Sequence, residues 1–457
     1  MNLLVKDKCF YKKMAVIAIP ISLQSMITIG VNMTDTVMVG KLGETSLSAT
    51  ALANQFVNIY QICCMGIAMG ASVLTSRFWG MQDITSLKKT ITLMLRLCIV
   101  LAVLFMLPTI LIPQLLMRMY TNDSAVIAQG VQYFKWIVYC YFLQGMTMTC
   151  TIVLRSVGQV NFPLFTSIGS FFVNILFNYM FIFGKLGVPR MEVEGAGVGT
   201  LIARVFEFSL ICGYFLFVDR KIGYRLKDLR MKCNSLIKDY VSISIPVFVS
   251  DSLLALGTSA VAMVMGRIGT GFVSANSITV VTQQLTTVII QGICHASCIM
   301  TGHTLGQGER EKAQQQAWTF LILGLVVGIL GGGLIKVLSR PIIGLYNITP
   351  ETAQIAGELM DAIAFIVIFQ SMNSILTKGV LRGGGDTKFL MVADIIFLWA
   401  ASLPLGILAG LVWHLDAFWI YVFLKIDQIC KSIWCVFRLR SGKWIKTFSK
   451  EKMNHAQ

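Results

Sequence analysis

Twelve apolar runs divide this chain, near residues 14–36, 48–76, 91–113, 130–154, 163–184, 195–218, 240–265, 272–300, 317–338, 355–380, 388–412 and 416–437. Each approaches or exceeds the ~20 residues an α-helix needs to cross a bilayer, and none shows the strict alternation of a ~10-residue barrel strand. In lipid every backbone polar group must bond within its own segment, so runs of this length are expected as helices. Charged residues are 13% of 457 and hydrophobic ones 56%, too little polar surface for a soluble protein of this size. The expected class is all-α and integral to the membrane, with twelve transmembrane helices in two six-helix lobes. Met1 to Lys13 is polar and the first apolar run is long without a small-residue cleavage site, so no cleavable signal peptide is expected.

The formal net charge of +16 would suit nucleic acid, but its distribution argues otherwise. Four Lys precede the first run, seven cations (Arg220, Lys221, Arg225, Lys227, Arg230, Lys232, Lys238) crowd the stretch 219–239, and six follow Phe437. Basic residues concentrated in alternate loops mark the cytoplasmic side, which puts both termini and this stretch inside. No soluble module remains to present the cations to nucleic acid. The twelve cysteines show no CxxC, and Cys63-Cys64, Cys294/Cys298 and Cys430/Cys435 fall within apolar runs. No disulfide and no metal-thiolate site are expected.

The two halves echo one another at an offset of 226 residues. Ile19-Pro20, Gly40-Lys41-Leu42-Gly43, Gly66-Ile67, Thr75, Gly80 and Tyr120 return as Ile245-Pro246, Gly266-Arg267-Ile268-Gly269, Gly292-Ile293, Thr301, Gly306 and Tyr346. The offset then grows by one, matching Leu154-Arg155 and Gly158 with Leu381-Arg382 and Gly385. An even number of spans per copy leaves both copies facing the same way, related by a pseudo-two-fold axis along the membrane normal, the plan of many secondary transporters. The expected domains are 1–218 as the N-terminal lobe, 219–239 as a basic cytoplasmic linker, and 240–457 as the C-terminal lobe with a short basic tail. Pro20 and Pro246 favour kinks, and Gly66, Gly70, Gly292 and Ala296 permit close helix approach. Arg382-Gly383-Gly384-Gly385-Asp386 lacks the Gly-Lys-Ser/Thr of a nucleotide-binding loop,.

An ionisable residue at a helix centre costs about 2.5–3.5 kcal/mol to insert, so each one within a run is a candidate for function. Asp35 follows Asn32 at helical spacing, Asn174 and Asn178 share a face, and Arg204 stands one turn beyond Thr200,. Carboxylate, carboxamide and hydroxyl oxygens together suit a monovalent cation or a proton; Asp35, Asn174, Asn178 and Thr200 are the expected Na⁺ or H⁺ coupling site. The repeat maps Asp35 to Val261 and the two asparagines to Ala401 and Leu405, so this cluster belongs to the first copy alone. Asp251, Asn373, Lys378 and Asp394 are candidate polar sites of the second. Asp361 and Lys378 stand near run ends where long side chains reach water, and Asp427 has Lys425 and Lys431 within a turn for neutralisation.

Several segments resemble the multidrug and toxic compound extrusion (MATE) family: Asn32-Met33-Thr34-Asp35 through Gly40-Lys41-Leu42-Gly43, Leu47-Ser48-Ala49-Thr50-Ala51, Val153-Leu154-Arg155-Ser156-Val157-Gly158, Glu194-Gly195-Ala196-Gly197-Val198-Gly199-Thr200, Gly302-His303-Thr304-Leu305-Gly306-Gln307-Gly308 and Val380-Leu381-Arg382-Gly383-Gly384-Gly385-Asp386-Thr387. In this order and spacing they cover nearly the whole chain. The resemblance implies export of cationic or amphipathic organic compounds in exchange for Na⁺ or H⁺, with no cofactor, by a monomer in a bacterial cytoplasmic membrane. The family's first-helix aspartate falls on Asp35, its fifth-helix polar pair on Asn174 and Asn178, and its sixth-helix threonine on Thr200. Where members with a second-lobe cation site carry acids, this chain has Leu254 and Ser371. Two other readings stand beside this one. A lipid-precursor flippase would need a cleft lined by several cations, beyond Arg204 and Lys378. A polytopic membrane enzyme would need acids converging near His295 or His303.

Overall fold

The structure, a computed structural model, describes residues 4–344 and 348–447. Tyr346, matched above with Tyr120, and the tail cations Lys450 and Lys452 lie outside the described residues. The long helices of the first half are α1 (Lys8–Gly40), α2 (Glu44–Gly80), α3 (Ile84–Leu111), α5 (Ser124–Ser156), α6 (Asn161–Phe183) and α7 (Glu192–Gly213), with a short α4 (Pro113–Arg118). The second half has α8 (Asn234–Ile268), α9 (Thr270–Gly306), α10 (Arg310–Ile343), α11 (Pro350–Ser374), α12 (Thr387–Asp394), α13 (Leu403–Ile407), α14 (Ala417–Leu424) and α15 (Ile426–Arg440). Eleven helical segments among the described residues are long and apolar enough to cross a membrane. The twelfth expected run folds as α14 and α15, which meet at Lys425, where φ is −121°.

The second half is less regular than the first. A π-helical stretch, Ile375–Leu381, continues α11 towards Arg382, and two more, Ile395–Ser402 and Leu408–Val412, interrupt the run from α12 through α13. Their counterparts α5 and α6 are unbroken α-helix. The offset between the copies grows by one in the interval that contains Ile375–Leu381, and a π turn is the geometry that absorbs one additional residue in a helix.

The chain forms two compact units. One comprises residues 23–75 and 83–244; the other comprises the described parts of 1–22, 76–82 and 245–457. These boundaries differ from 1–218, 219–239 and 240–457, and close contacts give the reason. A Cβ at Gly292 would meet the Ala18 carbonyl of α1, one at Gly80 the His303 backbone, and one at Gly306 the Arg77 carbonyl. With no side chain in the way, the start of α1 and the end of α2 pack into the C-terminal unit.

The expected linker is instead part of the N-terminal unit, folded onto α3. Lys88 Nζ lies 2.9 Å from Asp228 Oδ2 and donates to the Gly223 carbonyl at 2.6 Å. Arg96 donates to the Leu229 and Met231 carbonyls. Asp219, 1% exposed, accepts from the Lys221 and Ile222 amides and from Gln159 Nε2 at 2.7 Å. Burial opposes ionisation of Asp228, but Lys88, the Arg225 backbone N–H and Lys227 outweigh it and hold its carboxyl below the ordinary range,.

Each unit has its own apolar core. In the N-terminal unit Ala49, Ala53, Tyr60, Phe134 and Tyr141 are buried together, and the Tyr60 hydroxyl donates to the Tyr141 carbonyl at 2.5 Å. In the C-terminal unit α11 supplies Leu359, Met360, Ile363, Ile366 and Val367.

Candidate functional site

Close packing of α6 on α7 builds the site. Along Gly195-Ala196-Gly197-Val198-Gly199, a Cβ at Gly195 would meet the Phe181 backbone, and one at Gly199 would meet Asn178 Oδ1 and its backbone nitrogen. Gly197, on the side facing α5, approaches Trp136 and Tyr133. The absent side chains seat α7 against both neighbours and leave room for the Asn178 amide, which is 1% exposed.

Asn178 Nδ2 donates to Asp35 Oδ1 at 2.6 Å and stands 3.3 Å from Asn174 Oδ1. Asp35, Asn174 and Thr200 line a cavity of about 370 Å³ within the N-terminal unit, together with Asn32, Asn54 and Tyr133. Tyr133 donates to Asn54 Oδ1 at 3.3 Å. On the α7 wall Arg204 Nη1 donates to Glu207 Oε2 at 2.8 Å, so that pair is internally neutral and the cavity keeps the charge of Asp35. Asn178 Oδ1 is buried without a hydrogen-bond partner. An unsatisfied buried acceptor costs about 1–3 kcal/mol, and a bound cation or proton donor would relieve it.

The structure thus brings Asp35, Asn174, Asn178 and Thr200 to one place. The residues expected in the second copy do not form a single site. Asp251 is held by Arg382, Nη2 to Oδ1 at 3.0 Å. Lys378 is exposed. Asn373 donates to Gln428 Oε1 at 2.7 Å, and Asp394 accepts from Ser250 and from Lys431 Nζ at 3.0 Å. Lys431 also reaches Asp427 at 3.1 Å, so Asp427 shares its counter-charge with Asp394. Asp361 pairs with Lys336, both side chains being exposed. Asp386 in the glycine-rich loop is bound by Arg438 and Lys446, at 2.7 and 3.2 Å.

Sequence reasoning missed Glu207, Asn54 and the Ser250 contact. Glu207 stands three residues after Arg204, a spacing that pairs opposite charges on a helix; Ser250 and Asp394 are 144 residues apart, and nothing local marks them. Among the described residues no group of three or more His, Cys, Asp or Glu could hold a metal, and all twelve cysteines are free thiols.

The MatE family model matches residues 20–180 and 246–429, one segment in each half. A probable multidrug resistance protein NorM of Thermotoga maritima is 24% identical over 441 residues, covering 95% of this chain and 93% of that protein. An uncharacterized transporter of Bacillus subtilis, YisQ, is 24% identical over 90% of both chains. The fold matches a crystal structure of the Vibrio cholerae MATE transporter VcmN, in mutant form, with TM-score 0.86 at 16% identity, covering 95% of this chain and 97% of that one. Matched in both halves and along nearly its full length, this multi-pass membrane protein belongs to the multidrug and toxic compound extrusion family of transporters.

Proposed function

We propose that the protein exports cationic or amphipathic organic compounds by antiport against Na⁺ or H⁺, through alternating access, in a bacterial cytoplasmic membrane with both termini inside. The observation that carries this reading is the bond from Asn178 to Asp35 at the wall of a polar cavity in the N-terminal unit. An acid inside a membrane segment is costly unless it exchanges its charge for something. Asp35 accepts one amide N–H, while the oxygens of Asn174, Asn178 and Thr200 remain for a cation. Amide nitrogen and oxygen occupy interchangeable positions, so a turned Asn178 would accept from a protonated Asp35 instead. Either occupant removes the negative charge and biases the protein towards one access state. The basic residues of 219–239 and those after Phe437 support the inward placement of both ends,. The curated relative is named as a probable multidrug resistance protein, which supports the substrate class.

Dye efflux from proteoliposomes under separately imposed Na⁺ and pH gradients tests the reading. Asp35→Asn is expected to abolish gradient-driven efflux while inserting normally. Wild-type efflux from the well-inserted variant would overturn it.

A further inference from the structure

Two arginines hold matching places in the copies, and only one of them has an acid. Arg382 is paired with Asp251 at 3.0 Å. Arg155, its counterpart in the repeat, donates to the Gln24 carboxamide oxygen, and no acid among the described residues acts on its charge. The repeat sets Ser25 where the second copy has Asp251, so the first copy has the arginine without the carboxylate. Nε is buried without a partner in both arginines; that donor does not tell them apart, and the counter-charge does.

Other acids of the N-terminal unit are engaged elsewhere. Asp35 accepts from Asn178, Glu207 from Arg204, Asp219 from Gln159 and two backbone amides, and Asp228 from Lys88. Arg155 stands in the last turn of α5, whose terminal carbonyls offer roughly half an elementary charge. A guanidinium keeps a whole one, since it does not deprotonate in proteins. Held away from water, it needs an opposite charge to offset the hydration it has lost. Arg155 is only partly buried, and the part left open gives a small anion access.

The hydrogen bonds that lead away from Arg155 all run one way. A guanidinium can only donate, so the Gln24 oxygen faces it and the Gln24 amide group faces away. That amide donates to Ser167 Oγ at 2.8 Å. Ser167 lines the cavity that holds Asp35, and with its oxygen engaged as an acceptor its own hydrogen is left to donate. Arginine, amide and hydroxyl thus present donors in series. Such a chain receives an anion and repels a cation, the reverse of the oxygens gathered around Asp35.

We propose that the N-terminal unit binds one small, singly charged anion, a carboxylate or a halide, on Arg155, where it takes the part that Asp251 plays for Arg382. A carboxylate suits the guanidinium best, because two of its donors match two carboxylate oxygens. That the carboxylate belongs to a transported compound rests on the exporter reading; that Arg155 holds an anion does not.

Thermal unfolding of the full-length protein in detergent, at fixed ionic strength with methanesulfonate exchanged for formate or for chloride, tests the site. A saturable rise of the midpoint with formate is expected in the wild type, and its loss in Arg155→Gln. Gln24→Glu sets a carboxylate against the guanidinium. It is expected to unfold at a higher temperature than wild type in methanesulfonate and to show no further rise with formate. A rise with formate alone assigns a carboxylate, and a rise with chloride as well assigns a free halide too. No saturable rise in the wild type, a rise that persists in either variant, or a Gln24→Glu protein no more stable than wild type in methanesulfonate would overturn the proposal. A rise that behaves as stated in a protein without gradient-driven dye efflux would sink the exporter reading and leave this one standing.

Discussion

Arg382 holds Asp251 through two guanidinium donors, at 3.0 and 3.5 Å, across 131 residues of chain. Its partner in the repeat, Arg155, donates to Gln24 over the same sequence separation. The Leu-Arg pair kept in both copies therefore fastens a late helix of each half to that half's first helix, with a carboxylate in one copy and a carboxamide in the other.

That ion pair is buried at Arg382 and half-buried at Asp251, with side-chain exposures of 5% and 16%. Removing one partner leaves a buried charge uncompensated, which costs about 3–5 kcal/mol. Asp251→Ala is expected to lower thermal stability in detergent by that order, as read by tryptophan fluorescence. Asp251→Leu combined with Arg382→Met is expected to recover most of the loss.

Gly199→Ala would place a methyl against Asn178 Oδ1. Overpacking of this kind costs typically ~1–3 kcal/mol, and here the displaced group is the donor to Asp35. The expected outcome is gradient-driven efflux reduced more than tenfold with moderate loss of stability. Gly213→Ala, where a Cβ meets nothing within 4 Å, serves as the control and is expected to transport normally.

Acid should loosen the segment folded onto α3. The Asp228 carboxyl lies below its usual value of 3.8, so its contribution to stability is complete above that pH and is lost as pH falls through the lowered one. Hydrogen exchange of residues 219–233 is expected to accelerate at acid pH in the wild type. In Asp228→Asn the same segment should exchange faster at neutral pH and gain less on acidification.

Cys150 and Cys212 approach to 3.8 Å between sulfurs as free thiols. Titration after denaturation without reductant is expected to find twelve reactive thiols. Ten would mean that this pair, or another, had oxidised.

Helix class, the duplicated plan and the N-terminal polar cluster were all legible in the sequence, because each leaves a local mark. Run length announces the helices, the glycines and Leu-Arg pairs announce the repeat, and Asn174 and Asn178 sit one turn apart on the same face. The boundary between units was not legible. It passes through α1 and α2 wherever a glycine lets one backbone meet another, as Gly292 does with Ala18, and contacts 274 residues apart have no local signature. Asp394 and Lys431 could be named from sequence but not joined, since their meeting depends on how α12 and α15 are turned.

The wide turn at Ile375–Leu381 keeps the two copies in step. One residue more in a helix of one copy than in its counterpart would turn every following side chain around the helix by about 100°, given 3.6 residues per turn. Confined to one loosened turn, the surplus residue leaves Leu381-Arg382 facing as Leu154-Arg155 does, each arginine still on its own first helix. The one-residue difference between the copies is thus absorbed in a single turn, and shortening 375–380 by one residue is the edit that would give this copy the register of the first.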